Sequence, residues 1–178
     1  MSTFRLMSLA ACCALLWGCG SNASEPAPAP VLAEPVAVEA APAAAPAPDA
    51  SALPLVTVHK SPTCGCCTAW QMNIQAAGHP VAVVEQDDLA PLKRALGVPS
   101  GMASCHTAMV GEYFIEGHVP AEDVARLLQE RPDARGLAVP GMPVGSPGME
   151  SPSGFVQPYT VYLINRDGSS TPFSQHGR

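Results

Sequence analysis

Three cysteines fall within four positions of the stretch "HKSPTCGCCTAW": Cys64, Cys66 and Cys67. Cys64 and Cys67 have the C-x-x-C separation of a redox dithiol, and Cys66 is a thiol that a dithiol does not need. Three thiolates around one turn repel one another unless a cation lies between them. A soft cation such as Cu(I) binds thiolate sulfur directly and removes that cost. Zinc usually takes paired C-x-x-C units or a C-x-x-C with a histidine pair, and neither pattern stands here. The spacing alone leaves a thiol–disulfide centre and a metal site both open, beside the plainer reading of small buried thiols.

Two further segments carry soft or borderline donors. In "GMASCHTAMV", Cys105 and His106 are adjacent, with Met102 and Met109 close by. Met109 lies inside an apolar run and reads as core; Cys105 reads as a ligand or as a buried thiol. His118, in "EGHVPAED", precedes a predicted helix and on its own reads as a turn residue or cap more readily than as a ligand. His59 ends the strand before the cysteine motif and reads as a packed or exposed histidine rather than a ligand. His79 and His176 read as surface or tail residues. In "VPGMPVGSPGME", Met142 and Met149 stand seven apart, each flanked by Gly and Pro. Core methionines usually sit on helices or strands. A thioether held on a shaped turn is a soft donor suited to Cu(I), or else an anchor fixing a long loop to the core.

These residues need elements to hold them. "PLVTVH" is β-branched and apolar, a strand signal, and "PVAVVEQ" is a second. Between them "CCTAWQMNIQAAG" places Ala69, Trp70, Ile74 and Ala77 at helical spacing, with Gly78 as a stop. "DDLAPLKRALG" predicts a second helix, capped by Asp87 or Asp88, with Pro91 in its first turn. "TAMVGEYFIEG" predicts two short strands meeting near Gly111, and "VPAEDVARLLQE" a third helix. "PYTVYLINRDGSSTPF" predicts a hairpin turning at Asp167-Gly168. "RGLAVPGMPVGSPGMESPSG" is too rich in Gly and Pro for regular structure. The first strand–helix–strand implies a parallel crossover. The whole order predicts an α/β thioredoxin-like sandwich: a central mixed sheet flanked by helices, with a long Gly/Pro/Met loop before the last strands. In that architecture "TCGCC" occupies the turn after the first strand, at the N-terminus of the first long helix. The helix dipole and free amides there favour a thiolate at Cys64, and the loop carrying Cys105 and His106 faces it.

The chain is 178 residues long, with seven cysteines and a formal net charge of −6. Arg5 followed by "LMSLAACCALLW" reads as an export signal over residues 1–18. "LLWGC" reads as a lipobox, which makes Cys19 the expected lipidation site. Gly20 follows, with no aspartate to argue for inner-membrane retention, so an outer-membrane anchor facing the periplasm is expected. Residues 19–53 are dominated by Ala and Pro, with four acidic residues and no basic one. Such a segment cannot offset the entropy of folding and reads as a disordered tether. Residues 54–178 then form one domain, in a compartment that permits disulfides. No basic patch argues for nucleic acid.

"KSPTCGCCTAW", "GVPSGMASCHTAMV", "EGHVPAEDVARLLQERPDARGLAVPGMPVGSPGME" and "PYTVYLINRDGS" together resemble the CopG-type family of small periplasmic copper-resistance proteins. The resemblance spans about residues 55 to 172. It implies a thioredoxin-like fold and copper bound by a C-x-C-C motif, including multi-copper clusters, with disulfide formation as a further property. The motif falls on Cys64, Cys66 and Cys67. The further ligands it implies fall on Cys105, His106, His118, Met142 and Met149. The cofactor expected is copper as Cu(I), or Cu(II) where binding couples to electron transfer, ahead of zinc or an iron–sulfur cluster. The partners expected are copper ions, with copper efflux or chaperone proteins beside them, and the membrane through the lipid anchor only. A thiol–disulfide oxidoreductase using Cys64 and Cys67 is the alternative function.

Overall fold

The computed structural model describes residues 53–177. The expected signal, the Cys19 lipidation site and the tether lie outside the described residues. Seven strands and three helices follow one another as β1 (Val56–Lys60), α1 (Gly65–Ala76), β2 (Val81–Glu85), α2 (Ala90–Leu96), β3 (Thr107–Val110), β4 (Tyr113–Glu116), α3 (Ala121–Glu130), β5 (Ala134–Ala138), β6 (Tyr159–Asn165) and β7 (Ser170–His176). No helix among the described residues is long and apolar enough to cross a membrane.

All seven strands join one mixed sheet in the order β2-β1-β3-β4-β5-β6-β7. β1 and β2 pair in parallel across the α1 crossover, Val56 opposite Val81, as the strand–helix–strand pattern requires. β1 pairs antiparallel with β3, and β3 with β4. β4 and β5 are again parallel, joined through α3, and β5, β6 and β7 continue antiparallel.

The strand period of two sorts side chains to the two faces. On one face, Val56, Val58, Ala108, Val110, Tyr113, Ile115, Leu137 and Val161 pack with Trp70 and Ile74 of α1 and Val124 and Leu127 of α3. On the other, Phe114, Ala138 and Ile164 pack with Leu96 of α2, Val98, Met102 and Met109. Helices therefore cover both faces, and Met109 is a core residue as its apolar strand implies.

The helix ends follow ordinary capping chemistry. Cys64 is the N-cap of α1, its sulfur accepting from the Cys67 amide at 3.3 Å. The α2 cap lies one residue later than expected: Leu89 holds the cap position, and the Asp88 carboxylate accepts from the Ala90 amide at 2.9 Å. Glu122 and Asp123 stand in the first turn of α3, at its positive pole.

Two expectations are corrected. Residues 135–138, assigned to the Gly/Pro-rich loop by composition, belong to β5 (Ala134–Ala138) and lie near the middle of the sheet. Gly136 is one of the glycines that gave this stretch its loop-like composition. Its role is close approach, since a Cβ there would collide with the Phe114 carbonyl of β4. The segment without helix or strand is accordingly 139–158. His79 and His176 are not surface or tail residues. His79 is buried with Nδ1 3.0 Å from the Pro54 carbonyl. His176 lies in β7, its Nε2 2.7 Å from Asp123 Oδ2, stacked on Tyr159.

The topology determines which loops can meet. β1 runs toward the edge of the sheet where α1 begins. β3 is antiparallel to it, so the loop entering β3 lies at that same edge. β4 runs back to the edge, where Glu116 stands opposite Thr107. β5, parallel to β4, delivers the start of segment 139–158 there as well. Residues 61–67, 103–106, 117–120 and the head of the methionine loop are thus gathered at one edge.

Candidate metal centre

α1 places its three cysteines differently. Cys67 lies three residues before Trp70 and seven before Ile74, on the inward stripe, and is fully buried. One residue back, a rotation of about 100° leaves Cys66 half-buried at the side of the helix. Cys64, at the cap, forms a disulfide with Cys67, with the two Cα atoms 5.4 Å apart. The reactive cap thiol expected at Cys64 is therefore held in that bond. Cys66 and Cys105 are free.

Cys105 is the hub of the site. Its sulfur lies 3.5 Å from Cys67 Sγ and 3.8 Å from Cys66 Sγ, and Cys66 Sγ is 3.5 Å from Cys64 Sγ. On its other side stand His118 Nε2 at 3.1 Å and His106 Nδ1 at 3.4 Å. Two donor groups result, Cys64–Cys66–Cys67–Cys105 and Cys105–His106–His118. Within each, the ligand atoms all lie within 4.8 Å of one another, close enough to share a metal ion.

The histidines are held as neutral donors. His118 Nδ1 lies 2.8 Å from the Pro147 carbonyl, which can only accept. The ring proton therefore sits on Nδ1, and the Nε2 lone pair faces Cys105. Burial pushes the His118 pKa down, with the Pro147 hydrogen bond and the Glu150 charge opposing. His106 is pushed down to about 3, first by burial and then by His118 and Lys93. It packs against Trp70, ring centroids 4.5 Å apart, and its Nε2 is buried with no partner. Trp70 is in turn fixed by its indole N–H, which donates to the Val119 carbonyl at 2.8 Å.

The loop carrying Cys105 is fastened from behind by residues that sequence reasoning passed over. Glu116 ends β4 fully buried. Its Oε1 accepts from the Ser104 amide at 2.6 Å and from Lys93 Nζ, and its Oε2 from the Thr107 hydroxyl at 2.6 Å. Lys93 Nζ also donates to Thr107 Oγ1 at 2.9 Å. Burial raises the Glu116 pKa, opposed by Lys93 and these hydrogen bonds. Every oxygen of Glu116 is engaged, so it positions the loop and is no donor to a metal. The signal was present in the sequence: a glutamate closing the apolar strand "YFIE", with a lysine on the helix before it.

The methionine loop closes over the cluster. Gly148 has φ 85°, and a Cβ there would stand 2.6 Å from the Cys66 carbonyl and 2.7 Å from the Trp70 amide. Only glycine lets this turn press onto the first turn of α1 while Pro147 reaches His118. Glu150 locks the turn by accepting from the Gly148 amide at 2.8 Å and Asn73 Nδ2 at 3.2 Å. Met149 is half-buried, and Met142 is 51% exposed, on a turn whose Gly141 bonds to Ala103 and Ser104. The structure thus brings Cys64, Cys66, Cys67, Cys105, His106 and His118 together, and leaves the Met142 side chain turned largely to solvent.

Cys105 should be a slow thiol. Burial is the chief reason its pKa is pushed up to about 12, with the neighbouring Cys66 adding to it. At pH 8 only about one Cys105 in 10⁴ would then be a thiolate, the form that reacts. Iodoacetamide labelling of Cys105 in the folded protein, followed by mass spectrometry, should run roughly 10³-fold slower than in denaturant and rise about tenfold per pH unit. Equal rates folded and unfolded would show that the thiol is not held protonated. The same shift makes stability fall as pH rises from the ordinary 9.0 toward about 12, where the unfolded chain ionises first.

A mixed α/β sheet with a sulfur-and-imidazole pocket at one edge defines a class, and the comparisons with known proteins narrow it. Two solved structures of copper resistance protein CopG match. Form 1 is 40% identical, with a TM-score of 0.67, over 71% of this chain and 99% of its own. Form 2 is 41% identical, with a TM-score of 0.66, over 70% of this chain and 98% of its own. This chain belongs to the CopG-type copper-resistance family. A family model described as a protein of unknown function, DUF411, matches residues 102–149, from the Cys105 loop through the methionine turns. A search of curated proteins returns no match.

Proposed function

We propose that this is a copper-binding protein of periplasmic copper homeostasis and resistance, taking Cu(I) through Cys64, Cys66, Cys67 and Cys105, with His106 and His118. The observation that carries the reading is the convergence of four sulfurs on one point, with two neutral imidazoles on the far side of Cys105. Once the Cys64–Cys67 disulfide is opened, up to four thiolates share that point. Soft, singly charged ions that bridge sulfurs relieve their repulsion, and copper is the metal named in both solved relatives. More than one Cu(I) fits the surplus of donors. Met142 and Met149 extend the set outward, where Met142 would meet arriving copper. The element order supports a thioredoxin-like scaffold, and the lipobox at Cys19 supports an anchored periplasmic protein, at the outer rather than the inner membrane. Copper efflux or chaperone proteins are the partners such a site would serve.

The test is anaerobic titration of the reduced protein with Cu(I) against a chromophoric chelator. Several Cu(I) per chain are expected. Cys66→Ser should lower that number while leaving the Cys64–Cys67 disulfide able to form. The disulfide favours a second reading, a thiol–disulfide oxidoreductase. One copper or none, together with insulin-reducing activity, would establish that reading instead.

A further inference from the structure

His118 is held in the tautomer that a free imidazole disfavours. An unconstrained neutral histidine carries its proton mostly on Nε2. That form would turn an N–H toward Cys105 Sγ, 3.1 Å away, and leave no lone pair there. The Pro147 carbonyl, 2.8 Å from Nδ1, reverses the preference. Something must therefore hold a loop carbonyl in place. Pro147 belongs to a stiff double turn closed on itself: the Gly145 amide donates to Met149 at 2.7 Å, the Met149 amide to Ser146 at 2.8 Å, and the buried Ser146 hydroxyl to Pro143 at 2.7 Å. Such a turn moves as one piece. Among the described residues, two hydrogen bonds tie residues 145–150 to elements outside the loop. One is the His118–Pro147 bond itself, and the other runs from Asn73 Nδ2 of α1 to Glu150 Oε1 at 3.2 Å.

Resting on the copper reading above, we propose that Glu150 and Asn73 are positioning residues for the metal centre: through Gly148 they seat the Pro147 carbonyl on His118 and so keep the His118 Nε2 lone pair aimed into the pocket. A single atom does the fastening. Glu150 Oε1 accepts from Asn73 Nδ2 and also from the Gly148 amide at 2.8 Å, one residue from the carbonyl that matters. Asn73 is itself fixed, since its Nδ2 also donates to the Ala69 carbonyl at 3.2 Å. Gly148 fits against the Cys66 carbonyl and the Trp70 amide only while the turn lies flat on α1. With the fastening gone, the turn is left with van der Waals contact and the His118 bond alone. Neither Glu150 nor Asn73 is needed as a donor to the metal; each acts on His118 through the turn.

The tautomer can be read without any metal. Two-bond proton–nitrogen correlation spectra of ¹⁵N-histidine-labelled, metal-free protein at one fixed pH distinguish Nδ1–H from Nε2–H, and the His118 signals are identified by their loss in His118→Gln. The parent should show His118 protonated on Nδ1. Glu150→Ala and Asn73→Ala should shift it toward a mixture with Nε2–H, and Cu(I) affinity of the reduced protein should fall about tenfold, the low end of what outer partners of metal ligands contribute. Glu150→Gln should restore both readouts, because its carbonyl oxygen can accept the same two bonds. A glutamate that only stabilised the surface would move neither the tautomer nor the rescue. His118 unchanged in Glu150→Ala, with parent and variant binding Cu(I) alike, would overturn this inference and leave the copper reading standing. Glu150→Gln behaving like Glu150→Ala would overturn it too, since charge rather than the shared acceptor would then be responsible. The expected tautomer shift and rescue, in a protein that fails to bind Cu(I) when reduced, would support the positioning role and remove the copper reading.

Discussion

Cys105→Ser is expected to weaken Cu(I) binding at least about 100-fold and to lower the number of Cu(I) bound. Losing only an outer partner of a metal ligand already costs 10- to 100-fold in affinity, and Cys105 is proposed as a ligand itself. No other donor in the pocket touches both groups: its sulfur meets Cys66 and Cys67 on one side and His106 and His118 on the other. Serine keeps the shape but offers a hard oxygen in place of a soft thiolate, so the four-sulfur group loses its link to the imidazoles. The fold should barely respond, because Cys105 is half-buried and precedes β3 without capping or closing anything. Chelator competition on the reduced protein gives the affinity, and a thermal melt without metal gives the control. An unchanged copper number and affinity would show that Cu(I) sits on the C-x-C-C motif alone. Cys64→Ser makes a useful contrast, since Cys64 lies at the outer cap of α1 and its loss should leave the histidine side of the pocket intact.

Much of this pocket was legible in the sequence, because short-range patterns carry it. The C-x-C-C motif, the strand before it and the helical spacing of Trp70 and Ile74 put three cysteines at a helix start. The strand order then brought Cys105 to them, as β3 must run antiparallel to β1 for its entering loop to arrive there. His118 was harder: a histidine before a helix is ordinary, and it joins the site only because β4 returns to the edge from which β3 left. What stayed hidden depends on long-range closeness. Gly136 reads as part of a Gly/Pro-rich loop until the Phe114 carbonyl is seen pressed against it. His176 reads as a tail until Asp123 is found beside it, 53 positions earlier. Glu116 and Lys93, 23 positions apart, read as ordinary charges, and nothing local says that one is buried and the other must reach it.

That last pair carries the largest expected effect on stability. Lys93→Met should destabilise the fold by roughly 3–5 kcal/mol, the cost of breaking a buried ion pair by removing one partner. The Lys93 side chain is 14% exposed and Glu116 is not exposed at all. Without the ammonium, Glu116 must either stay charged in an apolar setting or take up a proton. Burial already raises its pKa with Lys93 present, and removing Lys93 takes away the largest effect opposing that rise. A raised carboxyl pKa means that the folded state prefers the proton. The variant should therefore regain stability as pH falls through the range of the shifted group and lose it toward neutrality. Denaturant unfolding at several pH values gives this dependence directly. Glu116 also accepts from the Ser104 amide, so the loop before Cys105 should loosen, and Cu(I) affinity should fall although no donor has been touched. Lys93→Met combined with Glu116→Gln should recover part of the stability. Glutamine is neutral, and its carbonyl can still accept from Ser104 while its amide faces Thr107. A double variant no more stable than Lys93→Met would show that the charge is not what Lys93 compensates. A single variant within about 0.5 kcal/mol of the parent, the scale of an ordinary surface substitution, would show that the pair does not hold the Cys105 loop.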